Sequence, residues 1–240
     1  MSISGPPPIQ SGNRLLDLLP KNDYRRLFPH LEMVPLEFKQ ILYEPRSVID
    51  HVYFPREGAA SMFSLMEDGS GIEVAIIGRE GMIGLAGLLG GEQALARFIV
   101  SVPGSAFKVK ATVVKEQAGK DTPLDRLLLL YLNAFLKQTV QSGACNGLHS
   151  VAQRCCRWLL KSRDRIDSDQ FVLTHEFLAD MLGVRRSSVS EVLELLQEKG
   201  WIYYHRGKIK ILERKGLESA ACECYRNVKD DFDRLFGSRG

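Results

Sequence analysis

The side chains with most chemistry to offer lie in one stretch, Thr174 to Leu193, where Gly183-Val184 is followed by Arg185-Arg186-Ser187-Ser188 and then Ser190-Glu191. An arginine presents a planar fork that fits guanine O6 and N7, and a glutamate can accept from cytosine N4. Arg186, Ser187, Ser190 and Glu191 are therefore the candidate base readers. Thr174, His175, Arg185 and Ser188, with Arg206 and Lys208 further on, are candidates for holding phosphates, which fixes register without reading sequence. The chemistry implied is recognition of double-stranded DNA.

Such residues need a helix-turn-helix to carry them. That motif asks for a small residue where the two helices touch, a glycine four positions later for the turn, and a β-branched residue six beyond that to lock the second helix down. Ala179, Gly183 and Val189 occupy those places, with Leu178, Leu182, Val184 and Val192 as the apolar contacts. The early turns of the second helix, the part that enters a major groove, then present Arg186, Ser187, Ser190 and Glu191. An amphipathic segment precedes the motif, Ala152 to Ser162. After it Trp201–Tyr204 and Lys208–Leu212 alternate across His205-Arg206-Gly207, so the spacing predicts a winged helix-turn-helix.

Upstream, residues 31–116 read as short β segments broken by turn signals. Val48–Phe54 ends at Pro55, Met62–Met66 and Ile72–Ile77 flank Asp68-Gly69-Ser70-Gly71, and Arg97–Val102 and Ala106–Val109 are split by Pro103-Gly104. This spacing predicts an antiparallel jelly roll. Thr122-Pro123 then opens a long helix to about Ser142. Two apolar stripes run along it, Leu124-Leu128-Tyr131-Phe135 and Leu129-Leu132-Leu136-Val140. A helix apolar on two faces is either a central helix buried in one core or one with two partners, its own barrel and a second copy of the chain. Gly143 and Gly147 predict a break before the next unit. The fold class expected is α+β: a disordered tail over 1–14, a jelly roll over 15–121, a dimerisation helix and hinge over 122–147, and a winged helix-turn-helix over 148–240.

Composition agrees with such a chain. At 240 residues, 45% hydrophobic and 25% charged, it can bury one or two cores. Its longest apolar run, Leu127 to Leu132, is far short of the about 20 residues a spanning helix needs, so no membrane partner is expected. Residues 1–147 carry 15 basic and 15 acidic side chains and residues 148–240 carry 17 and 14, so the net charge of +3 lies in the second part. That permits a polyanionic partner without requiring one. Five cysteines, an odd number with no Cys-x-x-Cys pair, argue for a reducing cytoplasm and against a disulfide framework or a structural zinc site. Cys155 and Cys156 are open to packing or to oxidant sensing.

The run Gly183-Val184-Arg185-Arg186-Ser187-Ser188-Val189, the wing, the long helix and the upstream barrel, in this order, resemble the Crp/Fnr family of bacterial transcription regulators. The catabolite activator of that family is a familiar helix-turn-helix and DNA-bending case. The resemblance implies a homodimer on a palindromic promoter site, with RNA polymerase as a further partner. Members that bind cyclic AMP carry Gly-Glu-Leu and, about ten residues on, Arg-Ser/Thr. Here those places hold Gly84-Leu85-Ala86 and Leu95-Ala96. A buried cyclic phosphate without a cation is costly, so cyclic-nucleotide dependence is not expected, and Arg97 is the one residue placed to restore it. The glycines from Gly78 to Gly91 lack phosphate-loop spacing. The first cysteine is Cys145, which excludes the N-terminal iron–sulfur cluster of oxygen-sensing relatives. No cofactor is called for; the effector stays open, and haem ligation by His30 or His51 remains one reading. A competing class, a cupin-like metal enzyme on the same barrel, needs a histidine and carboxylate cluster, and residues 1–120 hold only His30 and His51. A regulatory module without DNA binding would not need the helix-turn-helix.

Overall fold

The computed structural model describes residues 10–166 and 168–237. Two short helices, α1 (Arg14–Asp17) and α2 (Lys21–Leu27), lead into antiparallel strands β1 (Glu32–Leu36), β2 (Ile41–Tyr43), β3 (His51–Leu65), β4 (Gly71–Ile77) and β5 (Arg97–Lys110). They pair in the order β1-β5-β3-β4, with β2 also on β5, in the jelly-roll-like arrangement expected. The turn at Asp68–Gly71 closes the β3–β4 hairpin, and Asp68 Oδ1 accepts from the Ser70 amide at 2.9 Å.

The disorder expected over residues 1–14 does not extend through the end of that segment. Residues 1–9 lie outside the described residues, but Ser11 and Asn13 are buried, and Asn13 both caps α1 and donates to the carbonyls of Pro55 and Gly81. The breaks read at Pro55 and Pro103-Gly104 are not turns either. β3 and β5 are single long strands that pair through these positions with register shifts between Pro55 and Ala60. Bulges absorb the irregular residues. There the two backbones come so close that a Cβ on Gly104 would lie 2.2 Å from the Glu57 carbonyl oxygen, and one on Gly58 (φ +78°) 2.5 Å from that of Val102.

A helix α3 (Ala111–Gln117) precedes the long α4 (Pro123–Leu148), which Thr122 caps by accepting from the Asp125 amide at 3.1 Å. Leu124, Leu128 and Tyr131 of the first stripe are buried against the barrel. Of the second stripe Leu129, Leu136 and Val140 are exposed and Leu132 is half-buried. The predicted hinge at Ser142–Gly147 lies inside this helix, which ends only at His149. Ser142 and Cys145 are buried there, and packing overrides the modest helix penalty of two glycines.

Helix α5 (Val151–Arg163) opens with a Ser150–Gln153 capping box. β6 (Gln170–Val172), α6 (His175–Leu182), α7 (Arg186–Glu198), β7 (Ile202–His205) and β8 (Lys208–Ile211) follow, with a three-stranded sheet in the order β6-β8-β7. The wing hairpin was expected; its third strand was not. α8 (Arg214–Ala220) and α9 (Cys224–Leu235) complete the chain, and α9 returns to α4, with Lys137 paired to Asp231 at 3.1 Å and Phe232 in the barrel-side core.

The winged unit is not separate from the barrel. Ala59, Phe63, Ile76 and Val102 of the sheet share a core with Trp158, Leu159, Phe177 and Val189. At its heart the buried Glu73 carboxylate accepts from Ser61 Oγ at 2.5 Å and Trp158 Nε1 at 3.0 Å. Phe38 packs on Phe177, with ring centroids 5.0 Å apart.

Candidate nucleic-acid interface

The helix-turn-helix forms from the residues the spacing singled out. Thr174 caps α6 through its hydroxyl, which accepts from the Phe177 amide at 3.1 Å. Gly183 ends that helix with φ +61°, and the Val184 amide reaches back to the Ala179 carbonyl at 3.0 Å, the closure a left-handed residue allows. Ala179 is 4% exposed and Val189 fully buried, so the two helices lock where a small and a β-branched residue were required. A Cβ on Gly183 would also meet Ile72 of β4 at 2.8 Å, so the turn rests on the barrel.

With Val189, Leu193 and Leu196 turned into the core, the opposite side of α7 is open. Arg186, Ser187 and Glu191 are exposed, as is Arg185 at the N-cap. Ser188 is half-buried. Ser190, predicted as a base reader, is half-buried too, and its hydroxyl lies 2.8 Å from His175 Nδ1. The His175 ring in turn packs on Tyr204 of β7 at 4.5 Å between centroids. Burial, and secondarily the charge of Arg186, hold its imidazole below the usual histidine range. The ring forms a junction between α6, α7 and the wing. Thr174 is likewise engaged as a cap, leaving Arg185, Arg206 and Lys208 as the exposed cations of the predicted phosphate set.

The wing stands beside these groups because β6 pairs β8 and the Leu173 amide donates to the Gly207 carbonyl at 2.9 Å. Arg206 sits at the hairpin tip (φ +46°) and Lys208 opens β8. Sequence reasoning passed over three residues here. Lys210 is exposed two residues beyond Lys208, a place strand alternation could have named. Gln197 Oε1 accepts from the Tyr204 amide at 2.8 Å, fixing α7 to the wing. Arg154, buried in α5, donates to the Leu182 carbonyl at 2.9 Å and so caps the first helix of the motif from behind.

In the barrel, Leu85 is buried in the core while Leu95 is 75% exposed. Arg97 lies on β5 and holds Glu44 through two bonds, Nε to Oε2 at 2.9 Å and Nη2 to Oε1 at 3.0 Å. A phosphate would have to displace that carboxylate. Cys155 and Cys156 are fully buried, and burial raises both thiols, Cys156 to about 11, which keeps them protonated and unreactive.

Comparison with known proteins gives the same two parts. Residues 34–121 match the Cyclic nucleotide-binding domain, and residues 153–220 the Crp-like helix-turn-helix domain. The chain is 27% identical over 186 residues to a global nitrogen regulator of Nostoc sp., covering 73% of this chain and 82% of that one. It is 24% identical over 200 residues to a global nitrogen regulator of Synechococcus elongatus, covering 77% and 89%. Among solved structures, FixK2 from Bradyrhizobium japonicum superposes with a TM-score of 0.68 at 19% identity, over 80% of this chain and 98% of that one. A CRP-family transcriptional regulator from Thermus thermophilus gives 0.64 at 19% identity, over 78% and 96%. With a nucleotide-binding-type barrel, a long helix and a Crp-like helix-turn-helix in this order, the chain belongs to the Crp/Fnr family of DNA-binding transcription regulators.

Proposed function

We propose that this regulator grips a palindromic promoter site in the cytoplasm as a homodimer, and that it does so without a cyclic nucleotide. The observation that carries the dimer is the uncovered side of α4. At 3.6 residues per turn Leu129, Leu132, Leu136, Val140, Gly143 and Gly147 fall on one side of the helix. Leu136 is 53% and Val140 74% exposed, and none of the described residues lies within 4 Å of a Cβ placed on either glycine. An apolar row continued by bare backbone suits close approach of an identical helix. A two-fold axis along α4 sets two copies of α7 side by side, so half-sites are expected about one helical turn, 34–36 Å, apart. Action at a promoter makes RNA polymerase the expected protein partner.

Independence from cyclic nucleotide rests on Leu85 and Leu95 in place of charged ligands and on the engagement of Arg97 with Glu44. Calorimetry with cyclic AMP or cyclic GMP should give no binding tighter than about millimolar. Micromolar affinity lost in Arg97→Ala would overturn that half of the reading. Selection of bound DNA from a random pool at two salt concentrations tests the other half, since it reads symmetry and sequence preference together. Selected sites without a dyad would sink the palindrome.

A further inference from the structure

Four potential metal ligands meet away from the DNA-reading surface, where the end of α4 faces the connection between α8 and α9. Cys145 lies in the last turn of α4 and His149 caps it, one helical turn on, while Cys222 and Cys224 flank Glu223 at the entry to α9. Their ligand atoms all lie within 4.8 Å of one another. Cys145 Sγ and Cys222 Sγ are 3.5 Å apart, as are Cys224 Sγ and His149 Nδ1. A tetrahedral zinc with Zn–S bonds of about 2.3 Å has S···S edges of about 3.8 Å, so the Cys145–Cys222 pair already stands near that edge and no other pair lies more than 4.8 Å apart. The three sulfurs are shielded from water, with Cys145, Cys222 and Cys224 at 0%, 3% and 0% exposure.

The surroundings are those of a ligand set. The imidazole turns Nδ1 to the sulfurs and has Nε2 3.3 Å from the Glu223 carboxylate, the outer partner that fixes the tautomer of a metal-bound histidine. Gln141 Nε2 donates to Cys224 Sγ at 3.0 Å. The buried guanidinium of Arg157 acts on both Cys145 and Cys222 and would offset the single negative charge of a dication held by three thiolates and a neutral imidazole.

We propose that Cys145, His149, Cys222 and Cys224 bind one Zn2+ in a closed Cys3His site. On binding, each thiol gives its proton to solvent and its sulfur lone pair to the metal, and His149 Nδ1 supplies the fourth bond, so no oxidant or reductant is needed. With no position left for water, the ion is structural. It staples α9 to the end of α4, at the point where the chain leaves the long helix for the winged unit.

The test uses the full-length protein expressed in zinc-supplemented medium. Elemental analysis should find about one zinc per chain surviving dialysis, released when a mercurial blocks the thiols. Cobalt exchanged into the wild-type protein should show thiolate-to-cobalt charge transfer and the intense ligand-field bands of tetrahedral coordination, which reads the ligand set without any variant. Cys222→Ser and His149→Ala should each lose the metal, and Cys156→Ser should keep it. A protein without metal and with five titratable thiols overturns the proposal. So does a mass two hydrogens lower, with Cys145 and Cys222 joined as a disulfide, or a preparation that holds iron in place of zinc.

Discussion

The proposed division between base-reading and phosphate-holding residues is testable at single side chains. Arg186 is exposed in the first turn of α7 and long enough to reach a base edge. Arg186→Ala should cost about 1–3 kcal/mol on the preferred site and relax selection at one guanine per half-site, measured by titration against the selected and a scrambled duplex. Lys208 is exposed on the wing, the place proposed to meet phosphate. Lys208→Ala should weaken all sequences alike and lower the slope of affinity against salt by about one per subunit. Glu191 is repelled by phosphates unless a base donates to it, so Glu191→Ala should lose discrimination at one cytosine. Uniformly tighter binding instead would mean that α7 lies rotated from the orientation argued for it. Most of this face was legible in the sequence, because helix periodicity alone turns Val189 inward and Arg186 outward. The contact of Ser190 with His175 was not legible, since that partner comes from another helix and no spacing within α7 announces it.

At the scale of elements, the exposed side of α4 is the part most open to test. Leu136 and Val140 touch little of their own chain, so replacing both with Glu should leave the monomer folded. Sedimentation should then show monomers where the wild type is dimeric, with operator affinity lost in parallel. A wild-type monomer at micromolar concentration would remove the basis for a dimer. The same helix shows why boundaries were harder to read than elements. Gly143 and Gly147 look like breakers in a string of letters, but a bare backbone is also what a closely packed helix pair needs. β3 and β5 were cut in two for a similar reason. Pro55, Gly58, Pro103 and Gly104 are turn residues by type, and only the pairing of the two strands makes them bulges. Gly104→Ala should therefore destabilise by about 1–3 kcal/mol, seen as a lower urea midpoint with unchanged slope, because its methyl would meet the backbone of Glu57.

For the molecule as a whole, the contact between barrel and winged unit carries charge as well as apolar surface. Lys161 is 3% exposed, and its Nζ makes no hydrogen bond among the described residues. Burial, and then the nearby Arg157 and Arg165, push its ammonium down to about 7, against the opposing pull of Glu73 and Glu80. Between that value and the ordinary lysine range the unfolded chain holds a proton that the folded chain does not. Stability from this group is therefore least at low pH and rises as pH climbs through the window. Lys161→Met should raise the unfolding temperature at pH 6 and gain much less at pH 9. A gap that is constant with pH would show that the lysine is charged in the fold. Neither this group nor the cysteine–histidine quartet could be found by eye in the sequence: Lys161 reads as a surface cation of an amphipathic helix, and Cys145 and Cys222 are 77 positions apart.

The core shared by Ala59, Phe63, Ile76 and Val102 with Trp158 and Phe177, sealed around the Glu73 carboxylate, has a thermal consequence. Two beads on a flexible string melt in two steps, each with its own heat. Here, separating the parts would strip water-shielded aromatic surface from both and leave the Glu73 carboxylate, which keeps Ser61 of its own sheet, without its indole donor. Scanning calorimetry should accordingly record one endotherm, with van't Hoff and calorimetric enthalpies in agreement. Severed at Ser150, the C-terminal segment should expose Trp158, Phe177 and Phe171 and bind a hydrophobic dye, behaving as half of an object and not as a module.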